Sequence, residues 1–156
     1  MSKLIIHSDG ASKGNPGDAG IGVVVSAEDG AVLREVAEYI GETTNNAAEY
    51  AALIRGLREA AQLGATMVEI STDSELLARQ LTGVYKVKSE ALKPLHHEAV
   101  SLMRCFASAG VTHVPRELNK RADQLANKAI EKHRKKRGDS KTPAKKQPSQ
   151  RELGLS

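Results

Sequence analysis

The chain has 156 residues, a formal net charge of +4, and 40% hydrophobic residues that include one Phe, three Tyr and no Trp. That length suits a single domain whose core must be built from Ile, Val, Leu and Ala. A single cysteine excludes an internal disulfide framework, and no stretch approaches the ~20 apolar residues of a membrane-spanning helix.

Cys105 falls in the apolar run Leu102-Met103-Arg104-Cys105-Phe106, which predicts a buried packing role. Met1-Ser2-Lys3 leads straight into a strand without the apolar region of a signal peptide, so the expectation is a soluble, cytoplasmic protein. The net charge is unevenly placed. Lys132 to Ser156 carry +7, while residues 1–131 carry −3. A basic end of this kind either attracts a polyanion or simply aids solubility, and the sequence leaves both open.

Residues 3–9 read as a strand, followed by a Gly-, Asn- and Pro-rich turn from Gly10 to Gly17. Residues 21–26 and 32–40 make two further strands around the hairpin signal Glu28-Asp29-Gly30, giving an antiparallel meander. The period then changes. Tyr50, Leu53, Ile54, Leu57, Ala60 and Ala61 form a helical stripe within 46–63, closed by Gly64. A fourth strand (67–72) precedes a short helix (74–81) with Ser74 as N-cap, then a basic connection (83–88). A helix follows over 90–107 with Pro94 in its first turn, then a strand at 111–114 and a last helix from Asn119 to about Lys135. Beyond Gly138 the composition is Lys, Pro, Ser and Gln, and no element is predicted. The expected division is a catalytic domain over 1–137 and a basic tail over 138–156.

Connectivity then locates four acids. If the first strand runs up, the meander returns the third strand upward, and the fourth and fifth strands also run up after helical crossovers. Asp9 and Asp73 then end upward strands, and Glu49 and Asp123 sit in the first turns of descending helices. All four lie on one edge, where open α/β sheets usually carry their sites. Taken singly, Asp73 could cap a helix and Glu49 could complement a helix dipole. Together, unpaired carboxylates cost several kcal/mol unless cations neutralise them. Oxygen-only ligands select hard ions, so Mg²⁺ or Mn²⁺ is expected over zinc. Two such ions ~4 Å apart would activate a water and stabilise the leaving oxygen in phosphodiester cleavage.

The motifs around these acids are DGASKGNPG at Asp9–Gly17, TTNNAAE at Thr43–Glu49, TDS at Thr72–Ser74 and NKRAD at Asn119–Asp123. In order and spacing they closely resemble type 1 ribonuclease H over residues 3–133. The resemblance implies an α/β fold with a five-stranded mixed sheet, order 3-2-1-4-5, flanked by helices. It implies endonucleolytic cleavage of the RNA strand of RNA–DNA hybrids with two Mg²⁺ or Mn²⁺ ions, leaving 5′-phosphate and 3′-hydroxyl ends. Asp9, Glu49, Asp73 and Asp123 would be the metal ligands, with Asp9 bridging the ions. Gly10, Ser12, Gly14, Asn15, Asn45 and Ser74 would line the minor groove and test for 2′-hydroxyls, which is how RNA is told from DNA. Thr44 would touch a DNA phosphate, and Asn45 and Asn46 would reach bases and backbone. The same Gly and Asn residues also have ordinary turn and cap roles.

Three departures from the best-known bacterial form stand out. The basic, Trp-containing protrusion is reduced to Val84-Tyr85-Lys86-Val87-Lys88. The usual Gln after the TDS-type motif is Glu75. The mobile loop with a catalytic histidine is cut to His113-Val114-Pro115-Arg116-Glu117, so Arg116 is favoured over His113 as the group assisting product release. Double-stranded RNA is a further candidate substrate, a monomer is the default, and a catalytically silent nucleic-acid binder on the same fold is the alternative. That alternative should have lost a ligand, and all four acids are present.

Overall fold

The computed structural model describes residues 2–138. The basic tail expected beyond Gly138 lies outside the described residues. One five-stranded sheet, in the order β3-β2-β1-β4-β5, organises the rest. Its strands are β1 (Lys3–Gly14), β2 (Gly17–Ala27), β3 (Val32–Thr43), β4 (Met67–Thr72) and β5 (Ser108–His113). The helices are α1 (Asn45–Gln62), α2 (Glu75–Leu81), α3 (Lys93–Met103) and α4 (Lys120–Lys136), with a 3-10 turn at Arg116–Asn119. β1 pairs antiparallel with β2 and parallel with β4, so the sheet changes character at its central strand. None of the described helices is long and apolar enough to cross a membrane.

Alternation along β1 and β2 sorts residues between two layers. Ile6, Val23 and Val25 face α1, where they pack on Tyr50, Leu53 and Leu57 in the main core. The opposite face of β2 carries Gly20 and Gly22, and α4 lies directly on them. A Cβ at Gly20 would come within 2.5 Å of the Ala126 carbonyl oxygen. At Gly22 a Cβ would overlap the Ala122 carbonyl oxygen. Glycine in a strand interior here marks close backbone approach. Ala122, Ala126 and Ala129 complete this seat, all buried.

The first hairpin differs from expectation. The strand does not stop at Asp9. It stays paired with β2 from Asp9↔Gly22 through Lys13↔Asp18 to Gly14↔Gly17, and only Asn15-Pro16 form the turn. Gly14 sits at φ 107°, a conformation that favours glycine. Composition alone reads this segment as a loop, but the ladder to β2 overrides it. Nor does α4 descend as expected. Ala122 lies at the level of Gly22, Ala126 at Gly20, and Arg134 and Arg137 bond to Asp18. The helix therefore runs parallel to β1, from Asp9 toward the hairpin tip.

The helix expected over 90–107 is shorter. Ser89 organises a turn before it, its Oγ accepting from Leu92 N–H at 3.4 Å, and the chain leaves the helix after Met103. That early exit corrects the reading of Cys105, which is exposed and donates its thiol to the Ser101 carbonyl at 3.5 Å. Phe106 takes the buried position of that segment instead.

Candidate active site

β1 and β4 pair only as far as His7↔Ser71. Beyond that point they separate, and the gap receives the carboxylates. The Ser8 carbonyl is claimed by Asn119 Nδ2 at 2.9 Å. Asn119 is 1% exposed and stands immediately before α4, so the same bond fixes where that helix begins.

Ligand oxygens of Asp9, Glu49 and Asp73 lie within 4.8 Å of one another. Asp9 comes from the middle of β1 and Asp73 from the residue after β4. Glu49 is carried by α1 just past its first turn, because that helix starts at Asn45, one residue earlier than expected. Gly10 makes this approach possible. A Cβ there would overlap the backbone of Ala48 and Glu49, so β1 and α1 meet main chain to main chain. Asp123, in the first turn of α4, reaches the group through a hydrogen bond shared with Asp9. Asn127 Nδ2 donates to Asp123 Oδ1 at 3.2 Å and to its carbonyl at 2.9 Å, steadying it from the next turn.

The electrostatics are those of a cluster short of positive charge. Burial, the shared hydrogen bond with Asp123 and the charges of Asp73, Asp123 and Glu49 push Asp9 up to about 9. Burial raises Glu49 to about 7, with Asp73 adding to the rise and the Ser74 hydrogen bond and Arg116 opposing it. Asp73 is also raised, chiefly by burial, with Arg116 pulling the other way. The ion pair seen here is Arg116 Nε to Asp73 Oδ2 at 3.7 Å, from an arginine side chain that is 86% exposed. An oxygen-rich, partly buried, mutually repelling set is the donor chemistry that a hard divalent cation requires. Asp9, Glu49 and Asp73 fit such an ion directly, and Asp123 stands beside them.

The other expected residues surround this group. Ser12 Oγ donates to the Thr43 carbonyl at 2.9 Å and to the Gly14 carbonyl, tying the hairpin to the end of β3. Asn15 Oδ1 accepts from Asn45 N–H at 3.0 Å, so the hairpin tip is tied to the start of α1. Thr44 is the N-cap of α1, its Oγ1 accepting from Ala47 N–H at 3.2 Å. Asn46 is exposed in the first turn. Ser74 caps α2, as the sequence indicates, by accepting from Leu77 N–H at 3.2 Å, and it also bonds the Glu49 carboxylate. His113 ends β5 and is exposed, so it is not a packed core residue. His96 is half-buried, its Nε2 3.2 Å from the Gln80 carbonyl. The seat Gly20-Gly22 and the strut Asn119 went unread as site-builders, although two glycines alternating within an apolar strand signal a close approach.

The chain matches the family described as reverse transcriptase-like over residues 7–129. It is 44% identical over 125 residues to a protein named Ribonuclease HI from Halobacterium salinarum, covering 80% of this chain and 63% of that one. It is 42% identical over 144 residues to the bifunctional protein Rv2228c of Mycobacterium tuberculosis, covering 92% of this chain and 40% of that one. The chain thus spans less than two thirds of the length of either relative. In three dimensions it superposes on LC11-RNase H1 in complex with an RNA/DNA hybrid with a TM-score of 0.80 at 47% identity, covering 83% of this chain and 98% of that one. With the sheet order, the carboxylate group and these matches in agreement, the chain belongs to the reverse transcriptase-like family, among the type 1 ribonucleases H.

Proposed function

We propose that this protein is an endonuclease that hydrolyses the RNA strand of RNA–DNA hybrids, as in primer and R-loop removal, leaving 5′-phosphate and 3′-hydroxyl ends. The observation that carries the reading is the group of Asp9, Glu49 and Asp73, with Asp123 bonded to Asp9, beside a hairpin whose tip is tied to the start of α1. Its support from relatives is the superposition on LC11-RNase H1, which was solved with an RNA/DNA hybrid.

In this reading Asp9, Glu49 and Asp73, with Asp123 beside them, would hold Mg²⁺ or Mn²⁺, which would supply water activation and charge neutralisation at the leaving oxygen. The protein's own part is positional. Asp9 is central to the set, Ser74 steadies Glu49, and Asp123 would complete the metal-binding group. Arg116 is exposed, with its Nε 3.7 Å from Asp73, and so can meet the departing 5′-phosphate. Gly10, Ser12, Gly14, Asn15, Asn45 and Ser74 read the minor groove and its 2′-hydroxyls, Thr44 meets a DNA phosphate, and Asn46 reaches the backbone. The catalytic unit is residues 1–137, acting as a monomer in the cytoplasm.

The test is cleavage of a labelled hybrid with Mg²⁺ or Mn²⁺, beside double-stranded RNA, double-stranded DNA and an Asp9→Asn control. Cutting confined to the hybrid's RNA strand, reduced at least ~10³-fold in the control, is expected. Cutting in the duplex RNA lane would widen the substrate range. Folded protein that binds hybrid but cuts with neither metal would sink the proposal in favour of a silent binder.

A further inference from the structure

Away from the carboxylates, the most organised polar cluster is at the far end of α4. Asp18 is 6% exposed, yet its carboxylate receives three side chains. Tyr39 Oη donates to Oδ1 at 2.9 Å, Arg134 Nε to Oδ2 at 2.9 Å, and Arg137 Nη2 to Oδ2 at 2.9 Å. His133 stacks on Tyr39 with ring centroids 3.5 Å apart, packing α4 against β3 at the same level. One carboxylate thus holds two guanidinium groups. Arg134 uses only its Nε on Asp18, and its two terminal nitrogens remain as a forked donor on a side chain that is 40% exposed.

The direction of this fork follows from helix geometry. Asp123, Asn127 and Arg134 are separated by four and seven residues, so they share one face of α4. Across from Asp18 in the ladder stands Lys13, exposed on the strand that also carries Asp9. Arg134 lies eleven residues beyond Asp123, ~16 Å along the helix. Lys13 lies four residues beyond Asp9, ~13 Å along the strand. Strand phosphates repeat every ~3.4 Å, so this spacing corresponds to four or five nucleotides from the bond being cut. Among the described residues, Glu42, opposite Asp18 in the ladder, and Glu131, one turn before Arg134, are acids that weaken the field.

We propose that Arg134, with Arg137 and Lys13, forms a second phosphate clamp for the bound nucleic acid, preset by Asp18 and lying along α4 from the carboxylates. It rests on the hybrid-cleavage reading above. A guanidinium already fixed by a carboxylate gives up little side-chain freedom when it meets a phosphate, and its fork suits two oxygens of one phosphate. Such a clamp supplies grip without reading sequence. It also compensates for the basic protrusion, which here is reduced to residues 84–88.

The test compares hybrids with one fixed RNA tract and duplex extended by two or by ten base pairs, to either side. The full chain is expected to bind the longer hybrid about tenfold more tightly for one direction of extension, with a salt slope steeper by ~1–2. Arg134→Gln should abolish that gain and Lys13→Gln should reduce it. Arg134→Lys should keep part of the salt slope but lose the fork's share of affinity. Thermal melts establish that each variant is folded at the assay temperature. An extension gain that is absent, or that survives in Arg134→Gln, overturns the clamp. Equal loss for short and long hybrids overturns it too, because that pattern marks a merely structural arginine. Wild-type cleavage of both hybrids in the same samples keeps the function intact when the clamp fails, whereas no cleavage of either refutes the function itself.

Discussion

Replacing Gly22 with alanine tests whether the main-chain seat of α4 sets the carboxylate geometry. The added methyl would overlap the Ala122 carbonyl oxygen and lie 2.8 Å from Ala126 N and 2.9 Å from the Ala122 carbonyl carbon. Non-bonded heavy atoms settle near ~3.5 Å, so α4 must retreat on the order of 1 Å. Asp123 is the residue after Ala122 and moves with it, away from the Asp9 carboxyl it bonds. Overpacking of this kind costs ~1–3 kcal/mol of stability. A displacement of ~1 Å at a reacting group costs up to ~10²-fold in rate. The assay is single-turnover cleavage of hybrid at saturating enzyme, below the melting temperatures of all proteins compared. Ile21→Val is the control, because Ile21 is 2% exposed and, one residue from Gly22 along the strand, points to the other face of the sheet. It should lose ~1 kcal/mol of stability with its rate unchanged. If folded Gly22→Ala cuts within threefold of wild type, or Ile21→Val loses as much rate, the glycine seat does not place Asp123.

Three other outcomes are expected. Arg137 first, then Arg134 and Tyr39, hold Asp18 far below the usual carboxylate range against the opposing effect of burial. A depressed native value means stability that is present above the unfolded value near pH 4 and lost as pH falls below it. Asp18→Asn should therefore cost ~2 kcal/mol at pH 7 and flatten the acid limb of a denaturant-stability profile; an unchanged limb would show that Asp18 adds nothing. Asp9 and Glu49 have the opposite sign. Their values are raised to about 9 and about 7, so the metal-free fold should weaken as pH rises from about 4, the unfolded value, up to those values. Mg²⁺ or Mn²⁺ should then raise Tm more at pH 9 than at pH 6, by binding the folded state alone, and equal shifts would contradict this. Arg116→Ala should slow steady-state turnover about tenfold while sparing the first-turnover burst, and His113→Ala should do neither; a lost burst would place Arg116 in the chemical step.

Element order was legible because the hydrophobic pattern changes cleanly, from the apolar run at 21–26 and the alternation in 32–40 to the helical stripe from Tyr50 to Ala61. Connectivity brought the four acids to one region although two of its premises failed, since Asp9 lies in mid-strand and α4 runs the other way. What the chain did not disclose depends on contacts distant in sequence. Gly10 to Gly14 look like a turn until β2 is paired with them. The seat of α4 is Gly20 and Gly22, about a hundred positions earlier, so no local pattern carries its direction. Cys105 was misplaced because an apolar neighbourhood marks burial only while the helix continues, and this one ends at Met103. Asp18 showed no pattern of its own, because its partners come from β3 and from the last turns of α4.

The bond from Asn119 to Ser8 spans 111 positions, and the helix it anchors is the last of the described elements in chain order. Until α4 is made and docked, Gly20 and Gly22 lie uncovered and the group of Asp9, Glu49 and Asp73 lacks its fourth member. Synthesis proceeds from the N-terminus, and contacts this distant in sequence form late. The four-carboxylate group is therefore complete only once α4 has docked. On the proposed reading, a chain cut before α4 holds three of the four carboxylates and should not cleave hybrid.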